Sequence, residues 1–236
     1  MITAVTFDAG QTLIELDGEL LASRLAERGV AATPAALVAA QVPAWQHYEA
    51  VVRAGGHDQP WQAFMAALLG RAAAVDAAQA AALAAWLWTE QPRRNLWRRA
   101  VPGMIELVRE LRAAGVTVGV LSNSEGRLAE LFTEIGWADE FAAVIDSGVV
   151  GVAKPDPAIF QIALARLGAA AATTVHVGDS WAADVLGARQ VGLRAIWFGA
   201  SAGAAPPSPD PAIAHVADAA GCRAALGAWG APLAPG

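Results

Sequence analysis

Cysteine and lysine are almost missing from this 236-residue sequence: each occurs once, as Cys222 and Lys154. A single cysteine excludes an internal disulfide and fits a reducing cytosol. The other basic residues are arginines, without a long basic run, and the net charge is −6. Nucleic acid and an anionic membrane surface are therefore disfavoured as partners. The start, MITAVTFDAG, has neither the basic segment nor the long apolar run of a signal peptide. Alanine-rich stretches such as AAAVDAAQAAALAAWLW carry polar interruptions and read as helix, not as a membrane span. A cytoplasmic protein is expected.

What the sequence does have is apolar surface to bury. Hydrophobic residues make up 56% of it, enough for a full core and too many for a disordered chain. The length suits one large α/β domain, or a core domain carrying a smaller one. Ile2 to Phe7 is an uncharged β-rich run that reads as a strand buried on both faces. From about Glu15 to Glu90 apolar residues recur at three and four, which predicts helices and no convincing strand. Gly29, Gly55, Gly56 and Gly70 punctuate that region, and Thr33–Pro34 is a helix-start signal.

Beyond Pro102 the pattern changes. A helix to Ala114 precedes the strand VTVGVLSN. A helix near Gly126–Ile135, the strand AAVIDS, a helix over 157–167 and the strand TTVHVGD follow. A helix over Ala182–Val191, the strand LRAIWF, a loop over Gly199–Pro211 and a last short strand, AIAHVA, complete the pattern. Alternating strands and helices predict a parallel sheet with helices on both faces, a Rossmann-like α/β core. The expected division is a core of residues 1–14 and 96–236 and an inserted all-helical domain of residues 15–95.

Polar residues fall at the predicted strand ends: Asp8, then Ser122 and Asn123, then Asp179 and Ser180, with Lys154 in a loop between the last two. In an open parallel sheet these ends form one ligand-binding edge. Two carboxylates there, with Asp184 nearby, suit a hard cation such as Mg²⁺. A lysine and a hydroxyl facing that cation suit a phosphoryl group, whose equatorial oxygens need neutralising. A carboxylate beside both can act as a nucleophile. Taken singly, Asp8 fits a turn or helix cap, Asp184 a solvated helix position and Ser180 a helix cap; their order along the chain favours a site. The tryptophans Trp45, Trp61, Trp86 and Trp88 read as packing, whereas Trp97, beside the domain boundary, is a candidate for the cleft. His176 and His215 read as satisfied strand residues. Arg93, Arg94, Arg98 and Arg99 read as a solvated face, with an anion clamp as the alternative; Arg24, Arg28 and Arg53 carry the same pair of readings.

At these residues the chain resembles the haloacid dehalogenase-like (HAD) hydrolase superfamily. FDAGQTL is similar to its first motif, VLSN to its second, KPDPAIF to its third and VGDSWAADVLGA to its fourth, in the family's order. The resemblance implies a Rossmann-like sheet with a helical cap of the C1 class. It implies Asp8 as nucleophile and Mg²⁺ held by Asp8, the Gly10 carbonyl and Asp179, with Asp184 supporting the metal or orienting Lys154. Ser122 and Lys154 would bind the transferred phosphoryl group, with Thr12 and Asn123 beside them. The implied substrate is a small phosphorylated metabolite, and the protein a monomer or homodimer.

One position departs from the pattern. Most phosphatases of this family carry a second Asp two residues after the nucleophile, which protonates the leaving group; here the residue is Gly10. A branch of the C1 group is similar in having Gly there. General acid–base help is worth ~10²–10⁴-fold. Three readings follow: a substrate with a good leaving group, such as an acyl phosphate; a substitute acid among Glu15, Asp17, His47 and His57; or a weak or retired enzyme. Two other classes resemble the chain at this point. L-2-haloacid dehalogenases also lack the second Asp, but need no metal. Phosphonoacetaldehyde hydrolases use a lysine of the cap, and no lysine lies in residues 15–95. A non-catalytic binder of phosphorylated ligands is the remaining alternative.

Overall fold

In the computed structural model, residues 1–55, 60–199 and 210–233 are described. His57, most of the Gly199–Pro211 loop and the side chain of Arg53 lie outside them. The chain divides into two compact units, one of Met1–Glu15 with Arg99–Gly236 and one of Leu16–Arg98.

The first unit is a six-stranded sheet in the order β5-β4-β1-β6-β7-β8. Its strands are β1 (Ala4–Phe7), β4 (Thr117–Ser122), β5 (Ala143–Asp146), β6 (Thr174–Gly178), β7 (Arg194–Phe198) and β8 (Ile213–Val216). All five pairings are parallel. The burial of β1, β4 and β6 along nearly every residue is what a sheet covered on both faces requires. From β1 the chain builds first toward β4 and β5, then crosses back to β6 on the other side. The strand order therefore reverses at β1, and ligands of open α/β sheets bind at the carboxyl ends beside such a reversal.

The helices of this unit are α5 (Met104–Ala113), α6 (Leu128–Glu134), the short α7 (Ser147–Val150), α8 (Pro157–Leu167), α9 (Gly187–Gln190) and α10 (Ala219–Ala228). Helix α8 matches the sequence expectation residue for residue, because Asp156 caps it, Pro157 opens it and the left-handed Gly168 ends it. Ile159, Phe160 and Ala163 of α8 join Leu121, Ile145, Val185, Ala195 and Trp197 in one apolar cluster.

One expected helix has a different form. In place of a regular helix over 182–191, Trp181–Leu186 form a wide π-type turn, and α-helix begins only at Gly187. The amides of both Asp184 and Val185 share the carbonyl of Ser180. Such wide turns re-aim side chains and often occur at functional sites; this one carries Asp184.

The second unit contains α1 (Gly18–Glu27), α2 (Pro34–Arg53), α3 (Pro60–Ala72) and α4 (Ala77–Glu90). Asp17, Thr33 and Asp76 cap α1, α2 and α4 by accepting backbone N–H bonds. The aromatic residues are packing: Trp45 stacks on Phe64 at 4.2 Å between centroids, and Trp61 lies 5.2 Å from Trp88. Trp97, read from the sequence as a candidate for the cleft, is buried against Trp61 and Phe64. Two short strands, β2 (Ile14–Leu16) and β3 (Trp97–Ala100), pair where the chain passes between the units. Neither was expected, since three or four residues leave no readable alternation. No helix among the described residues is long and apolar enough to cross a membrane.

Candidate active site

Asp8 follows the last residue of β1, and its backbone N–H is held by the carbonyl of Val177 on β6. The carboxylate therefore starts from a fixed point at the sheet edge. Ser122, the last residue of β4, donates its hydroxyl to Asp8 Oδ1 at 2.8 Å. Lys154 Nζ donates to the same oxygen at 2.6 Å, to Asp184 Oδ1 at 2.5 Å and to the Leu121 carbonyl at 2.9 Å. All three ammonium protons are thus committed. Asp8, Ser122, Lys154 and Asp184, distant in sequence, form one buried hydrogen-bonded group.

Asp179 lies at the end of β6. Ligand oxygens of Asp8, Asp179 and Asp184 fall within 4.8 Å of one another. Three buried carboxylates beside one ammonium leave a formal excess of two negative charges when all are ionised. A buried excess of that size is costly without a counter-ion, and an all-oxygen donor set is what Mg²⁺ prefers. The residues present fit a divalent hard cation.

The electrostatics follow the geometry. Burial disfavours the Lys154 ammonium, but Asp184 and Asp8 outweigh it and hold the group well above the ordinary lysine range. Burial likewise opposes ionisation of Asp184, yet Lys154 and His176 bring its carboxyl down to about 2. Asp8 is pushed up from the ordinary value, chiefly by burial and then by the neighbouring Asp184, with Lys154 and Ser122 opposing.

The remaining expected residues have specific places. Asn123 uses both ends of its carboxamide on the backbone of Lys154, accepting from its N–H at 2.8 Å and donating to its carbonyl at 3.0 Å. It fixes the loop that delivers the lysine. Thr12 is fully buried, and its Oγ1 has no hydrogen-bond partner among the described residues. Gly10 bridges to Ile14 in the loop beyond Asp8; the loop turns at Gln11, whose φ is 58°. Ser180 accepts the N–H of Ala183 and so caps the wide turn. Of the candidate substitute acids, Asp17 caps α1, Glu15 lies 3.7 Å from Arg99, and His47 is exposed on α2.

Two contributors, Asp146 and Trp197, were not singled out from sequence, and a third, His176, was read only as a satisfied strand residue. Asp146, at the tip of β5, accepts the N–H groups of Gly126, Leu128 and Gly148 and so organises the loop after β4. The signal was the same as for Asp8 and Asp179: an acid at the end of a strand. The Trp197 indole donates to the backbone carbonyl of Asp179 at 2.9 Å. His176 meets Asp184; alternation along β6 puts it on the same face as Gly178. A Cβ added at Gly178 would stand 2.2 Å from Asp184 Cγ, so that face adjoins the acid.

A haloacid dehalogenase-like hydrolase model matches residues 2–192. The human haloacid dehalogenase-like hydrolase domain-containing protein 3 is 29% identical over 209 residues, 82% of this chain and 80% of that protein. A phosphoserine phosphatase of Thermus thermophilus is 40% identical over 89 residues, 37% of this chain and 36% of that enzyme. Among solved structures, a 2-haloacid dehalogenase from Pseudomonas syringae is similar with a TM-score of 0.61. The two are 26% identical, and the match covers 97% of this chain and 100% of that one.

Proposed function

Because the chain belongs to the haloacid dehalogenase-like hydrolases, as the match over residues 2–192 shows, we propose that it is a Mg²⁺-dependent phosphatase of a small phosphorylated metabolite. In this reading residues 1–14 and 96–236 are the catalytic core and residues 15–95 a cap of the C1 type. Asp8 attacks phosphorus, the bond to the leaving oxygen breaks, and an aspartyl-phosphate forms. Water then hydrolyses it, releasing inorganic phosphate and restoring Asp8. Lys154 and Ser122 neutralise and orient the transferring oxygens. Asp8, the Gly10 carbonyl and Asp179 would hold Mg²⁺, with Asp184 supporting the metal or orienting Lys154. When bound, that ion supplies charge neutralisation on the phosphoryl group.

The observation that carries this reading is the convergence of Ser122 and Lys154 on one oxygen of Asp8, beside two further buried carboxylates. The kinship with a phosphoserine phosphatase supports the reaction class. Gly10 offers no proton, Asp17 caps α1 and Glu15 lies beside Arg99. In this reading the preferred substrates are those whose leaving group departs as a stable anion, such as acyl phosphates, which need no such proton.

A second reading is favoured by Gly10 and by the similarity to a 2-haloacid dehalogenase. There Asp8 attacks carbon, expels halide and forms an ester that water hydrolyses. The cluster of three carboxylates weighs against it, since that chemistry calls for no cation.

One panel separates the two. Phosphate esters, acyl phosphates and 2-chloropropionate are offered to the wild type and to Asp8→Asn, each with Mg²⁺ and with EDTA. Phosphate release that needs Mg²⁺ and is lost in Asp8→Asn supports the phosphatase. Chloride release indifferent to EDTA replaces it with the dehalogenase. Absence of both leaves a binder of phosphorylated ligands.

A further inference from the structure

His176 is fully buried and carries a hydrogen bond on each ring nitrogen. Its Nε2 lies 2.9 Å from Asp184 Oδ1, and its Nδ1 lies 2.9 Å from the hydroxyl of Thr6 on β1. The ring packs edge-on against Phe160, 5.3 Å away. Strand register holds Thr6 and His176 side by side in the sheet. The proposed mechanism uses neither residue.

The acid at the other end is held from every side. Asp184 Oδ1 takes the Lys154 ammonium as well as His176, and Oδ2 accepts the N–H of Ser180 at 3.0 Å. The bare backbone of Gly178 closes the remaining side, leaving no room for a Cβ. A carboxylate facing an ammonium is ionised and only accepts hydrogen bonds. The hydrogen between His176 and Asp184 therefore sits on Nε2. Thr6 Oγ1 meets Nδ1 on the other side, so both nitrogens are engaged and the ring orientation is fixed.

We propose that His176 is a positioning residue of this site, whose Nε2–H, backed by the Thr6 hydroxyl, holds Asp184 in the orientation in which it meets Lys154. The sheet supplies what the wide turn over Trp181–Leu186 lacks. That turn carries Asp184 on a short, irregular segment, while His176 and Thr6 stand on two central strands. Their hydrogen bonds transfer the strands' rigidity to the acid, and through it to the lysine beside Asp8. Partners behind functional carboxylates and ligands typically matter by 10–100-fold in activity or metal affinity. Its effect on turnover rests on the phosphatase reading; the tautomer does not.

The test therefore has two arms. In ¹⁵N-labelled wild-type protein, long-range ¹H–¹⁵N NMR reads which nitrogen of His176 is protonated, with His176→Phe identifying the signals. A proton on Nε2 is expected; a bare Nε2 overturns the proposal whatever the enzyme's reaction. In the kinetic arm, His176→Phe should lower kcat about 10–100-fold with KM changed less than about threefold. His176→Gln, which keeps a donor near the Nε2 position, should recover most of the loss. Equal losses in the two variants would mark a purely structural role and overturn the proposal. Should wild type turn over no phosphate at all, the phosphatase reading fails while the NMR arm still decides the role of His176.

Discussion

Each unit of the molecule buries a cation, and the two are treated differently. Lys154, at the sheet edge, has three oxygen partners, two of them carboxylates, and its charge is reinforced. Arg24, in the helical unit, gives Nη2 to the carbonyl of Arg94, while Nη1 has no partner among the described residues. Burial there lowers its pKa, with Glu90 and Glu27 opposing. The indole N–H groups of Trp45 and Trp97 in that unit also lack an acceptor among the described residues. The lesson is one of division. At the strand-end cluster the sheet unit gives Asp8, Ser122, Lys154 and Asp184 partners and fixes them, as chemistry at a defined atom requires. The helical unit is held by stacked aromatics and aliphatic packing, which tolerate change better.

Breaking the sheet-edge cluster should have the largest effect. Lys154→Met leaves Asp8 and Asp184 facing each other without their shared cation. Removing one partner of a buried ion pair costs ~3–5 kcal/mol, so urea denaturation of the metal-free protein should show a loss of that order. Turnover should vanish with it. A midpoint equal to wild type would mean that the cluster's charges are already screened.

A core lesion in the helical unit sharpens the contrast. Leu68 is fully buried in α3, and Leu68→Ala should cost roughly 2–5 kcal/mol through the cavity it leaves. Amide hydrogen exchange should accelerate in α2, α3 and α4 but not in β1, β4 and β6, because the chain divides into two compact units. Uniform acceleration would show that the units unfold as one. The smallest effect belongs to a helix end. Asp76 accepts the N–H of Gln79 at 2.8 Å, and Asp76→Ala should lose about 1 kcal/mol, read as a modest fall in the urea midpoint with kcat unchanged.

Much of the sheet unit was legible in the sequence because its signals are local. Buried parallel strands read as short apolar runs, and α8 announces both its ends with Asp156, Pro157 and Gly168. Asp8, Ser122 and Asp179 stood out because each polar residue closes an apolar strand. The wide turn after Ser180 was not legible: its residues carry ordinary helical spacing, while the partners of Asp184, among them Lys154, His176 and the bare Gly178, are distant or unremarkable in sequence. His176 looked like a contented core residue, which it is. That the neighbour satisfying it is Asp184 depends on a turn whose shape no periodicity reports. Asn123 shows the converse. Its place beside Ser122 was readable, but its commitment to the backbone of Lys154 appears only when two loops meet.

By itself the sequence determined most of the elements and the kinds of group available: the lone lysine, the acids at strand tips, and a glycine where a proton donor would be useful. These depend on side-chain chemistry and on the hydrophobic period, which a linear chain carries unaided. Tertiary structure decided the strand order, which sets β1 between β4 and β6, and so which groups share an oxygen. Ser122 and Lys154 reach Asp8 from 114 and 146 residues away. Hydrogen bonds act over about 3 Å, and only a folded sheet brings such distant residues that close.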